Sequence, residues 1–143
     1  MTPEALFGRH HLLATLAPAE AAELLAQVQR REVPLGQTIF RKDDPGDGLY
    51  GVLAGRVVVT VASPAGKELI LNRFGPGEFF GEIALLDGKG RTANAVAREA
   101  TGLMFLARRA FLPFLERRPE VAARMIALLC ERLRRTTEQV EDA

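Results

Sequence analysis

Between Glu32 and Leu106 the chain is cut into short β-prone runs by closely spaced turn signals, and this spacing limits the fold more than any other feature. The runs are Ile39-Phe40, Leu49 to Leu53, Val57 to Val61 and Leu69 to Phe74, with two more at Ala93 to Ala97 and Gly102 to Leu106. Pro34-Leu35-Gly36, Asp43-Asp44-Pro45-Gly46, Ala54-Gly55 and Ser63-Pro64-Ala65-Gly66 lie between them. Glycine and proline at these points supply turn conformations, while the β-branched and aromatic residues favour a pleated, half-buried surface. Short strands at this interval predict a small antiparallel barrel or jelly roll.

Helical periods flank the strands. Leu6, Phe7, Leu12, Leu13 and Leu16 form a loose apolar face, and Pro18 sits where a second helix can start, with Leu24, Leu25 and Val28 as its buried stripe. The first 30 residues therefore read as helical, residues 31–107 as the β region and residues 108–143 as helical again. Phe111, Phe114 and Leu115 mark a short helix, and Pro119 opens a long one. In that long helix Ala122, Ile126, Leu129, Leu133, Thr136 and Val140 repeat at heptad spacing, the pattern of a helix lying along another helix. Val121, Met125 and Leu128 form a neighbouring stripe suited to packing on the chain's own body.

With 143 residues, 48% of them hydrophobic, the chain is long enough for one domain with a real core. A net charge of +1 argues against a globally basic nucleic-acid binder, and the arginine clusters at 108–109, 117–118 and 132–135 read as solvated helix faces. Cys130, the single cysteine, permits no intramolecular disulfide and no cysteine-ligated iron–sulfur cluster, which suggests a reducing, cytoplasmic setting. No apolar run approaches the roughly 18 residues of a membrane span, and no signal peptide is visible.

The chemistry concentrates in Phe79-Phe80-Gly81-Glu82-Ile83-Ala84-Leu85-Leu86 and, after a polar loop, Arg91-Thr92-Ala93. Backbone N–H groups at a helix start attract an anion, and a guanidinium fixes it with paired hydrogen bonds. A glutamate repels that anion, so Glu82 suits a neighbouring hydroxyl instead. Together the segment has the equipment to hold a sugar joined to a phosphate. Gly81 allows close approach of backbone to ligand, and Leu85 and Leu86 suit core anchors for the short helix.

Gly81-Glu82-Ile83-Ala84-Leu85 with Arg91-Thr92-Ala93 resembles the phosphate-binding cassette of cyclic-nucleotide-binding domains. Gly46-Asp47-Gly48-Leu49-Tyr50-Gly51-Val52-Leu53-Ala54-Gly55 is similar to that family's glycine-punctuated hairpin, and Gly75-Pro76-Gly77-Glu78-Phe79-Phe80-Gly81 to its approach to the cassette. The likeness runs from about residue 6 to residue 140 and is nearest in pattern to the sensor domains of catabolite-activator-type bacterial transcription regulators. It implies a mainly β fold with flanking helices: a jelly-roll-like β-roll, N-terminal helices, a short helix in the cassette at 79–93, and a long dimerisation helix at 119–140.

By the same resemblance Arg91 takes the cyclic phosphate, and Glu82 the ribose 2′-hydroxyl. Gly81, Ile83, Ala84, Leu85 and Ala93 supply backbone and room. Thr92 can bond phosphate and can reach a guanine, so cyclic GMP is permitted beside cyclic AMP. Val59 and Leu71 form an apolar wall for the base. The segment 132–140 resembles the central helix of those regulators, where a Thr-Ser pair contacts the adenine amino group from both subunits. Thr136-Thr137 preserves the hydroxyls and favours cyclic AMP, with Arg132 and Leu133 bordering the base. The implied protein is a cyclic-nucleotide sensor that relays an allosteric change through its last helix, a homodimer that touches DNA only through a domain outside this sequence. Glu141-Asp142-Ala143 carries no helix stop signal and reads as a cut boundary. A regulatory module of an enzyme or ion channel is the alternative.

Haem-binding relatives use an axial histidine, but no convincing second ligand accompanies His10 and His11, which read as surface helix residues. The paired histidines of metal-binding cupins are absent, so neither metal nor cofactor is expected. No nucleophile–base constellation suggests an enzyme.

Overall fold

In a computed structural model, residues 1–142 are described, with side chains through Glu138. The chain divides into two compact units, Met1–Phe111 and Leu112–Ala143.

The first unit holds eight strands in two antiparallel sheets. They are β1 (Gln29–Val33), β2 (Thr38–Phe40), β3 (Gly48–Ala54), β4 (Val57–Ala62), β5 (Glu68–Phe74), β6 (Phe79–Phe80), β7 (Asn94–Ala97) and β8 (Thr101–Ala107). One sheet has the order β1-β8-β3-β6 and the other β2-β7-β4-β5. The sheets do not close into a barrel; they share a core of Val33, Tyr50, Val52 and Phe80 from the first sheet with Val57, Ala95 and Ala97 from the second. The expected β-roll is thus present as two facing sheets.

β8 is central, paired with both β1 and β3, and all seven of its residues are buried. Each large apolar side chain it removes from water contributes about 1.5–3 kcal/mol. Opposite it, Leu49 faces Leu106 and Tyr50 faces Phe105. β5 is an edge strand that pairs only with β4, and most of it is exposed. Gly46 is required where the loop before β3 meets the polar loop within the cassette, because a Cβ there would lie 1.9 Å from the Lys89 carbonyl oxygen.

The N-terminal segment departs from the expected pair of helices. Helix α1 (Pro3–Phe7) ends at Gly8, a 3₁₀ turn follows at Leu13–Thr15, and α2 spans only Pro18–Leu25. His10 ends the first helical period: its Nδ1 accepts from the amides of Leu12 (3.1 Å) and Leu13 (3.3 Å), drawing them away from helical partners. Pro18 opens α2 as expected, and Glu20 Oε1 accepts from the Ala17 amide at 2.8 Å. Val28 lies beyond α2, and Gln29 begins β1 where the composition suggests helix. β1 is an edge strand built of polar residues up to Val33, so it lacks an apolar alternation to announce it.

In the cassette, α3 (Glu82–Asp87) is bracketed by two left-handed glycines, Gly81 (φ 78°) and Gly88 (φ 68°). Helix α4 (Arg108–Glu116) follows β8 and runs across the division between the units. In the second unit, α5 (Pro119–Asp142) carries buried Val121 and Met125 on one stripe. On the heptad stripe Ile126 and Leu133 are exposed (61% and 69%), while Ala122 and Leu129 are half-buried. The Val140 side chain, which would extend that stripe, lies outside the described residues. Among the described residues, no helix is long and apolar enough to cross a membrane.

Candidate ligand site between the cassette and the second sheet

An open cavity of about 530 Å³ lies in the first unit between the cassette and strands β4 and β5. That volume is in the usual range for small-molecule sites. Gly81, Glu82, Ile83 and Ala84 line it from α3, Arg91, Thr92 and Ala93 from the segment leading into β7, and Val59 and Leu71 from the sheet. Leu85 is not among the lining residues; it is fully buried and anchors α3, as does the partly buried Leu86.

Arg91 is buried to 5% exposure, unusual for an arginine in a loop segment. Its Nη2 donates to Asp47 Oδ1 at 2.9 Å and to the Gly48 carbonyl at 2.8 Å, and its Nη1 donates to the Gly81 carbonyl at 3.2 Å. The guanidinium carbon lies 4.2 Å from the centre of the Phe40 ring. The backbone is held too: Arg91 donates to the Asp44 carbonyl, and Asp43 donates back to Arg91, both at 2.8 Å. The Arg91 Nε is buried and has no hydrogen-bond acceptor among the described residues.

Gly81 owes its identity to this arrangement. A Cβ at its position would fall 2.5 Å from Arg91 Nη1, and its φ of 78° disfavours any L side chain. Close approach therefore operates between glycine and arginine within the protein itself.

Glu82 lies at the start of α3 with two histidines on it. His10 Nε2 and His11 Nε2 each stand 2.7 Å from Glu82 Oε1. Their rings stack with centroids 4.7 Å apart, and His10 meets Phe79 edge-on at 4.6 Å. Burial alone would raise the Glu82 pKa. The hydrogen bond and attraction from His10, then those from His11, outweigh it and bring the value from 4.5 down to about 2. Glu82 is thus a carboxylate at any physiological pH. The surface-helix reading of the histidines does not hold, since His10 is 4% exposed and neither residue is helical. The side chains reach the cassette because Gly8 ends α1 and turns the chain back toward β6.

Ile83 is 73% exposed, and Ala84 and Ala93 are buried. Thr92 is exposed at the rim. The cavity also includes Phe40, Asn72, Phe74, Asp87, Lys89 and Gly90, which the sequence motifs do not single out. Asp47 lies inside the glycine-punctuated hairpin motif, where only its distance from Arg91 reveals its role.

Arg132, Leu133, Thr136 and Thr137 lie on α5 in the second unit and are exposed. All residues lining the cavity belong to the first unit. Thr136 Oγ1 donates to the Arg132 carbonyl at 3.0 Å, and Thr137 Oγ1 to the Leu133 carbonyl at 3.1 Å.

Comparison with known proteins agrees with this architecture. The sequence profile of the cyclic nucleotide-binding domain matches residues 30–118. The chain is 44% identical over 119 residues to the cyclic AMP receptor protein of Thermus thermophilus, covering 83% of this chain and 55% of that protein. It is 31% identical over 137 residues to a CRP-like cAMP-activated global transcriptional regulator of Mycobacterium tuberculosis, covering 96% of this chain and 61% of that one. The chain therefore spans a little over half the length of these relatives. The crystal structure of the N-terminal domain of a transcriptional regulator from Streptomyces coelicolor superposes with a TM-score of 0.86 at 36% identity, covering 94% of both chains. The chain belongs to the cyclic-nucleotide-binding domain family.

Proposed function

We propose that this chain is the sensor part of a cytoplasmic transcription regulator and that its cavity binds a 3′,5′-cyclic nucleotide, cyclic AMP in preference to cyclic GMP. The observation that carries the reading is the pairing, on the walls of one cavity, of the buried cation Arg91 with the ionised Glu82. A guanidinium on the wall of a cavity suits a phosphate, which it holds by charge-assisted hydrogen bonds. Glu82, ionised on the same cavity, repels an anion and suits a hydroxyl beside it. A cyclic nucleotide presents a phosphate and a ribose 2′-hydroxyl at adjacent positions. Val59 and Leu71 offer apolar surface for the base, with Thr92 at the rim.

The adenine preference rests on the relatives' cAMP-named function and on Thr136 and Thr137. Each hydroxyl donates its proton to a carbonyl one turn back, so only its lone pairs remain to offer. Such oxygens accept from the amino group of adenine and have nothing to give to the carbonyl of guanine. Arg132 and Leu133 are assigned to the border of the base. The exposed heptad stripe is assigned to a second copy of this chain, and DNA contact to a part of the regulator beyond residues 1–143.

Calorimetric titration with cyclic AMP and cyclic GMP tests the reading. Saturable binding with cyclic AMP the tighter ligand is expected. Failure to bind either nucleotide would overturn the site, and tighter cyclic GMP would overturn the adenine assignment alone.

A further inference from the structure

His10, His11 and Glu82 bring their ligand atoms within 4.8 Å of one another, a grouping that could suit a metal ion. The hydrogen bonds of His10 exclude that use of it. Both donors to its Nδ1 are backbone amides, so Nδ1 carries the lone pair and the ring proton is on Nε2. The nitrogen that faces Glu82 is therefore an N–H, with no electron pair for a cation. Ligation there would require an imidazolate or the loss of two backbone hydrogen bonds.

The same geometry has a different use. Glu82 is ionised and can only accept, so the His11 Nε2 facing it is also an N–H donor. Two donors at 2.7 Å converge on one oxygen, Oε1. Among the described residues none bonds Oε2, and Glu82 lines the cavity. The carboxylate is thus gripped on one oxygen and open on the other. The grip is anchored in turn, because the His10 ring is buried against Phe79 and its Nδ1 is pinned to the start of the 3₁₀ turn.

We infer that His10 and His11 are positioning residues for ligand recognition, holding Oε1 of Glu82 so that Oε2 is presented to a hydroxyl of the bound ligand. This rests on the cyclic-nucleotide reading for the identity of that hydroxyl, the ribose 2′-OH. It makes the segment between α1 and α2 part of the specificity machinery, although neither histidine is among the residues lining the cavity. A carboxylate free to swing would accept from water or from either face of a sugar. One locked at Oε1 discriminates by position.

The test compares wild type with His11→Leu and His11→Gln, titrated with cyclic AMP and its 2′-deoxy analogue. His11 is chosen because it is partly exposed and the hydrogen bonds to the 3₁₀ turn come from His10 instead. Wild type should prefer the 2′-hydroxyl ligand, and His11→Leu should lose about three- to tenfold of that preference. Affinity for the 2′-deoxy ligand should stay the same, and His11→Gln, which retains an N–H donor, should recover most of the preference. A preference equal in all three proteins overturns the inference while leaving nucleotide binding intact. Should no cyclic nucleotide bind, the functional reading fails separately. Carboxyl NMR of ligand-free protein then decides the grip: a Glu82 that titrates at about 2 in wild type and higher in His11→Leu supports it, and one unmoved by the substitution overturns it.

Discussion

Asp47 Oδ1 and Arg91 Nη2 are 2.9 Å apart, joining the loop before β3 to the segment before β7 across 44 residues of sequence. The arginine is 3% exposed at its side chain and the aspartate 55%, so one partner is a buried cation and the other a surface anion. Two carbonyls and the Phe40 ring complete the cage around Arg91.

That cage makes Arg91→Lys a sharper test than removal of the side chain. Lysine keeps the charge but cannot serve Asp47, Gly48 and Gly81 while also offering an N–H to a phosphate. Calorimetry should show cyclic-nucleotide affinity reduced about 10- to 100-fold, and Arg91→Ala at least as weak. An unchanged dissociation constant removes Arg91 from the phosphate role.

Gly81→Ala should destabilise the fold as well as the site. The new methyl meets Arg91 Nη1 at 2.5 Å, and the left-handed backbone adds strain of its own. A loss of about 1–3 kcal/mol is expected in chemical denaturation. Gly36→Ala provides the control: its φ is also positive, but its Cβ meets nothing within 4 Å, so its cost should be smaller.

Acid stability should carry the signature of Glu82. Its folded pKa, about 2, lies below the ordinary 4.5. The stabilisation is therefore fully present above about pH 4.5 and is lost as pH falls through 2. Urea unfolding of wild type and Glu82→Gln should show a gap that is constant from pH 6 to about 4.5 and closes toward pH 2. A gap independent of pH across that range would contradict the depressed value.

Leu133→Glu should convert a dimer into a monomer in sedimentation equilibrium, because Leu133 is 69% exposed on the stripe assigned to a second copy. Helical circular dichroism should be retained, since Val121 and Met125 keep their burial. A wild type that is monomeric at high concentration refutes the stripe's assignment and leaves the cavity's untouched.

The expected strands from Ile39 to Leu106 coincide with β2, β3, β4, β5, β7 and β8 because turn residues and β-branched runs act locally. Gly81 and Arg91 were legible for the same reason, as neighbours within one short motif. β1 was not. Arg31 packs its guanidinium 4.0 Å from the Phe105 ring and donates to the Tyr50 hydroxyl at 2.8 Å, so a polar strand earns its place through partners remote in sequence. His10 and His11 were misread for a related reason. Nothing adjacent to them hints at a carboxylate 71 residues away, which only the fold brings within reach of His11. The aspartate behind Arg91 was equally hidden, because a Gly-Asp-Gly hairpin reads as a turn whatever the aspartate bonds.

The cage around Arg91 also bears on the thermodynamics of recognition. A long, rotamer-rich side chain has already been immobilised when the protein folds, so a ligand that meets the guanidinium need not bring it to order. The association should then show a small conformational entropy penalty at the phosphate end. Any large ordering signal in calorimetry would have to originate elsewhere in the chain.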